Sequence, residues 1–168
     1  LFETDFSKAN VITLFLLPDI NLKLRPKILD LKPGTRIVSN TFTMGEWKDD
    51  ETATVDDGAG CSYYCTAHLW IVPAKVTGTW QSAQGDLTLK QEFQMVQGSL
   101  KSGSDSHIIS NAKLRGDQLS FVAGSSNYTG RVNGSTIEGM ATTGGNQAKW
   151  TASRRYCAST VRVYQSRF

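Results

Sequence analysis

A length of 168 residues, with 39% hydrophobic and 20% charged, fits one ordinary domain or two small ones and excludes a disordered tail. No apolar run approaches the roughly 20 residues that a membrane span requires. The net charge of +3 is uneven, with eight basic and ten acidic residues in 1–75 and ten against five in the remainder. The excess is spread along predicted strands, so it reads as a solubilising surface and no nucleic-acid partner is expected.

The chain opens Leu1-Phe2-Glu3-Thr4-Asp5, with neither an initiator Met nor the pattern of a signal peptide, and a fragment is expected. Residues 10–17 form a continuous apolar run with β-branched residues at the front, the pattern of a strand covered on both faces. Pro18, which has no N–H for a ladder, closes it. Leu24, Ile28 and Leu31 then fall at helical spacing, and Pro26 predicts a short turn running into a second helix with that proline in its first turn. Lys32-Pro33-Gly34 stops the helix. Residues 35–39 read as the next strand and 40–47 as a loop. Residues 48–60, with Asp49, Asp50, Glu51, Asp56 and Asp57, read as a solvated excursion, and 63–72 as a returning strand. Strand, helix, strand, long loop and strand is the order of a doubly wound sheet. Three strands are too few to bury such apolar segments, so residues 1–75 are not expected to be stable alone.

Cys61, Cys65 and Cys157 cannot all pair. Cys61 and Cys65 lack both the redox spacing and a second ligand pair, and His68 and His107 lie apart. Plain structural thiols and no metal are expected.

From Val76 the texture changes to short alternating runs. Turn residues punctuate them: Gln84-Gly85-Asp86, Gly98, Arg115-Gly116-Asp117, Asn133-Gly134 and Gly144-Gly145-Asn146. About eight strands at this spacing predict an antiparallel meander or small barrel. Trp80 and Trp150 are expected to pack together at its base, as core and not as ligand platforms. Arg115-Gly116-Asp117 reads as a hairpin turn, and the glycines of 139–145 as turn signals. Residues 156–168 are basic and alternating, an edge strand or a frayed end. The fold class is thus α/β followed by all-β. A partial Rossmann-like sheet spans 1–75, a small antiparallel barrel or curled meander 76–155, and a tail 156–168.

The strings Leu1-Phe2-Glu3-Thr4-Asp5-Phe6-Ser7-Lys8-Ala9, Val11-Ile12-Thr13-Leu14-Phe15-Leu16-Leu17-Pro18, Leu31-Lys32-Pro33-Gly34-Thr35-Arg36-Ile37-Val38-Ser39 and Met44-Gly45-Glu46-Trp47 resemble bacterial class I S-adenosylmethionine-dependent methyltransferases. The likeness is greatest to a group related to small lysine methyltransferases, and the strings match the C-terminal part of that domain. The second piece resembles a β appendage of some such proteins. The resemblance implies S-adenosylmethionine as cofactor, no metal, and a methyl acceptor that is not fixed, with a protein lysine as the family's instance. It places cofactor contacts at Leu1 and Phe2 on the adenine side and at Thr13, Phe15 and Leu16 beside the target nucleophile. Phe15 stands where relatives carry Tyr, and Asn40 and Thr41 where His and Asp are expected. The family's glycine-rich loop and ribose-binding acid have no counterpart among these residues. No catalytic residue is therefore assigned, and the chain alone is expected to be inactive. The alternative is a non-catalytic β-barrel module binding a ligand or protein. The compartment is cytoplasmic by default, and the oligomeric state is left open.

Overall fold

The computed structural model describes residues 1–55 and 60–155. The elements of the first unit are β1 (Val11–Leu14), α1 (Pro18–Leu29), β2 (Arg36–Asn40), β3 (Glu51–Thr54) and β4 (Thr66–Ile71). They make a four-stranded sheet in the order β1-β2-β4-β3. β1 runs parallel to β2, while β4 is antiparallel to both β2 and β3. The layering therefore departs from a doubly wound sheet: the sheet is mixed, and one helix is present among the described residues.

Three local expectations are corrected. The apolar run yields a strand of only four residues, and every second residue of it is exposed. Among the described residues it is a sheet edge with β2 as its neighbour, not a strand covered on both faces. Pro18 opens α1 at a position where its missing N–H is no loss, and the helix runs unbroken through Pro26. Pro26 faces solvent, so water can take the carbonyl that its ring leaves without an intrahelical donor. The acidic excursion contains β3, whose four residues are all exposed because it lies at the outer edge of the sheet. Residues 56–59 of that excursion, the tail 156–168 and Cys157 lie outside the described residues.

The spacing of Leu24, Ile28 and Leu31 does set the core. All three are buried with Ile37, Met44, Trp47, Trp70 and Val72 between α1 and one face of the sheet.

The second unit is a single antiparallel sheet of nine strands: β5 (Gly78–Ser82), β6 (Gly85–Glu92), β7 (Met95–Ser102), β8 (Asp105–Ile108), β9 (Ser110–Arg115), β10 (Gln118–Ala123), β11 (Ser126–Asn133), β12 (Thr136–Thr143) and β13 (Asn146–Arg154). β5 pairs with both β6 and β13, while β8 leads through Ile109 into β9, so the two ends of the sheet approach each other. The barrel is nearly closed. Its interior is filled by Trp80, Leu87, Leu89, Phe121, Ile137 and Trp150, among others.

Trp80 and Trp150 are both core residues, but they do not stack on each other. Trp150 meets Phe121 and Tyr128 edge-on at 5.9 and 5.4 Å, whereas the Arg154 guanidinium covers Trp80 at 4.3 Å. Gly130 makes room for Trp150, whose ring would lie 3.2 Å from a Cβ there. Gly139 is a strand residue facing Gly130, not a turn, and a Cβ there would lie 1.8 Å from the Thr129 carbonyl oxygen.

Two hairpin tips of the second sheet grip the first unit. At the β6–β7 tip, Phe93 stacks on Trp47 at 6.0 Å beneath the Arg25 guanidinium, and Gln94 Nε2 donates to the Lys48 carbonyl at 2.7 Å. At the β9–β10 tip, the Gly116 carbonyl accepts from the Ala74 N–H at 2.8 Å, and Arg115 pairs with Glu51. The Arg115-Gly116-Asp117 turn is thus a docking element. Gly116 has φ of +60°, and a Cβ there would come 3.1 Å from the Gly34 Cα.

Candidate functional site

Because β1 and β2 are parallel and in register from Val11↔Arg36 to Leu14↔Ser39, their carboxyl ends lie side by side. In parallel α/β sheets ligands bind beyond such ends, and the β1–β2 pair is the one parallel pair among the described strands. Phe15 follows directly on β1. Thr41 follows β2 with φ of +66° and turns the chain so that Phe42 comes back toward Phe15. The loop is held from behind by α1: buried Asn21 donates from Nδ2 to the Phe42 and Thr43 carbonyls at 3.4 and 3.3 Å, and Arg25 donates to the Met44 carbonyl at 2.8 Å.

A third ring arrives from the segment before β4. Cys61 and Cys65 are joined in a disulfide, contrary to the expectation of free thiols. The four-residue spacing closes a tight loop whose Cα atoms lie 5.8 Å apart, well within bridging distance. Inside that loop Tyr64 takes φ of +58° and presents its ring to the other two. Phe15 and Phe42 are stacked at 5.9 Å, Tyr64 meets Phe15 edge-on at 5.2 Å, and Phe42 and Tyr64 are 6.2 Å apart. Phe15 and Tyr64 remain more than half exposed. Beside this ledge is an open hollow of about 320 Å³ reached by Thr13, Val38, Asn40, Val55 and the disulfide, with no charged side chain among the described residues that line it.

The five residues expected to contact a cofactor are not brought together. Thr13 faces the hollow and Phe15 belongs to the ledge. Leu16 is half-buried and packs toward the α1 core. Leu1 and Phe2 are exposed, and the Phe2 carbonyl accepts from Lys27 in the last turn of α1. Since α1 runs back against β1, that end lies away from Phe15. Phe42 and Tyr64 escaped the sequence reading. The signal available was aromatic residues within two positions of a strand end and inside a short Cys-to-Cys loop.

A second polar group sits on the helix-covered face. His68 donates from Nδ1 to Asp49 at 2.9 Å, and Thr52 donates to the same carboxylate. Burial works to raise the Asp49 pKa, yet the hydrogen bonds from Thr52 and His68 outweigh it and hold the carboxyl below its ordinary range. Ser39 is the cross-strand partner of His68, which completes a Ser-His-Asp set by residue type. Its hydroxyl, however, is fully buried and has no hydrogen-bond partner, so no substrate reaches it. The set braces the sheet and is not a hydrolytic site. Among the described residues, no group of three or more His, Cys, Asp or Glu is placed to hold a metal. No described helix is long and apolar enough to cross a membrane.

The sequence of the first unit is methyltransferase-like: residues 1–51 match the family model of the ANTKMT methyltransferase domain. The chain is 48% identical over 72 residues to a protein-lysine N-methyltransferase of Saccharolobus islandicus (strain REY15A), an alignment covering 42% of this chain and 43% of that one. It is also similar to an RNA methyltransferase from Salinibacter ruber solved with S-adenosyl-L-homocysteine, at 42% identity over 45% of each chain and a TM-score of 0.39. The chain spans less than half the length of either relative.

Proposed function

We propose that residues 1–75 form the acceptor-facing wall of an S-adenosylmethionine-dependent methyltransferase domain acting on an amine, with a protein lysine as the instance suggested by the Saccharolobus relative. The observation that carries this is the placement of the ledge: within the methyltransferase-like segment, two parallel strand ends converge on a hollow flanked by aromatic rings. The sulfonium of S-adenosylmethionine supplies an electrophilic methyl group, so the protein's task is to align the acceptor and keep water out. Apolar rings at Phe15, Phe42 and Tyr64 desolvate and orient an amine. Thr13 and Phe15 fit the donor side of the hollow. Leu16, Leu1 and Phe2 do not line it, so the fit to the donor is partial.

The reading is tested with a chimera of the Saccharolobus relative whose matched 72-residue region is replaced by the corresponding residues of this chain. The chimera is expected to bind S-adenosylmethionine and methylate lysine, while this chain alone gives no binding heat. A folded chimera that does not bind the donor, or tight binding by this chain alone, would overturn it. Carriage of an apolar ligand by the second unit has less support, because side chains fill its interior.

A further inference from the structure

We propose that Phe93, at the tip of the second unit's β6–β7 hairpin, is a positioning residue: through Arg25 it fixes the loop after β2 that carries Phe42. The turns after β7, β9, β10, β11 and β12 open on Gly103, Gly116, Gly124, Gly134 and Gly144, each with φ between +56° and +60°. At the same place after β6 stands Phe93, with φ of +53°. Glycine takes this left-handed conformation freely, whereas a bulky side chain there is an outlier. A two-residue tip asks for asparagine or glycine, so turning the chain does not explain a phenylalanine. The contacts of its ring do. It stacks on Trp47 at 6.0 Å, and the Arg25 guanidinium lies over it, 5.4 Å from the centroid. Arg25 in turn donates from Nη1 to the Met44 carbonyl at 2.8 Å and to Glu46 at 2.7 Å. The chain comes this close because Gly45 has φ of +67° and no side chain: a Cβ there would lie 3.1 Å from that Nη1. All four residues of Met44-Gly45-Glu46-Trp47 therefore meet either Arg25 or Phe93. Gln94 adds a direct hold on the far end of the loop by donating to the Lys48 carbonyl at 2.7 Å. The Phe93 ring keeps water from one face of the guanidinium, and a charge-assisted hydrogen bond shielded from water is stronger. Without the ring that face is hydrated, and the bond to Met44, close in sequence to Phe42, weakens. The strained residue is kept for the contact it makes, as such residues are at functional positions. The consequence for methyl transfer rests on the proposed reading of Phe42 as part of an acceptor wall; the coupling of tip to loop does not.

The test is Phe93→Gly in the full chain. The change relieves the left-handed residue and removes the ring, so a tip that only turns the chain and a tip that positions the loop respond differently. Backbone order parameters and the Phe15–Phe42 ring contact are read by NMR. Residues 42–46 are expected near the rigid value of about 0.85 in the native chain and below about 0.7 in Phe93→Gly. The Phe15–Phe42 contact should weaken, while β6, β7 and α1 keep their order. Arg25→Lys keeps the charge but not the flat guanidinium, and it should loosen the same residues. Added to Phe93→Gly, it should loosen them little further, because the two side chains act in one path. A loop that stays rigid in Phe93→Gly, fully additive loosening in the double variant, or a loss of order in α1 as large as that in the loop would overturn the proposal. A donor-free chimera would sink the methyltransferase reading and leave these results standing, whereas a rigid loop here would leave that reading untouched.

Discussion

Asp49 and Asp50 are neighbours in sequence, yet their folded environments push their acidities in opposite directions. Asp49 accepts from Thr52 and His68 and is held below the ordinary carboxylate range despite its burial. In the interval below that range the unfolded chain therefore binds more protons, so this contribution is complete above it and is lost as pH falls through the lowered value. Asp50 is raised, first by burial, although the Ile71 N–H donates to it at 2.7 Å. For Asp50 the sign reverses, and stability falls as pH rises from the ordinary carboxylate value to the raised one. Urea unfolding across pH 3–6 should show a flatter acid limb for Asp49→Asn. Asp50→Asn should remove a decline above pH 4 while keeping the acceptor for Ile71. Gly139→Ala meets backbone and not a movable side chain, and a loss of about 1–3 kcal/mol is expected in the same assay. Little of this was legible in the sequence: Thr52 lies three residues from Asp49, but His68, Ile71 and Thr129 are brought to their partners only by the pairing of strands.

At the level of elements, patterning that reports one buried stripe was read correctly and patterning that depends on sheet position was not. Leu24 and Ile28 announce the inner face of α1 because a helix shows its period locally. Val11, Ile12, Thr13 and Leu14 look like a central strand, yet β1 is an edge in the described residues, and no residue in the run records how many neighbours it has. β3 was hidden for the opposite reason: an exposed edge strand can be wholly polar. The candidate site was half legible. Thr13 and Phe15 follow from their place at the end of a strand, whereas Phe42 and Tyr64 reach the ledge only through two left-handed residues and a disulfide. Cys61→Ser with Cys65→Ser should therefore leave the second unit unchanged but release Tyr64. Its ring signals should lose their upfield dispersion from Phe15. A reduced chain whose Tyr64 shifts stay fixed would show that the loop holds itself without the bridge.

Across the whole molecule, the second unit acts as a clasp. The first unit's core is finished by Phe93, contributed from the β6–β7 tip, and its linker is pinned by Gln91, which accepts from the Val76 N–H and donates to the Ala74 and Phe93 carbonyls. Gly116→Ala, strained by its positive φ and crowded by Gly34, should cost about 1–2 kcal/mol and raise hydrogen exchange in α1 more than in β11 and β12. Among the described residues the clasp does not cover the carboxyl ends of β1 and β2, where the proposed acceptor would enter. The account's central claim is that Phe42 and Tyr64 of this ledge handle the acceptor and not the donor. Its most direct test is to compare, in the Saccharolobus chimera, the KM for a lysine peptide and the Kd for S-adenosylmethionine before and after Tyr64→Ala. The account predicts a several-fold rise in the peptide KM with the donor Kd unchanged within two-fold. A weakened donor Kd with an unaltered peptide KM would contradict it.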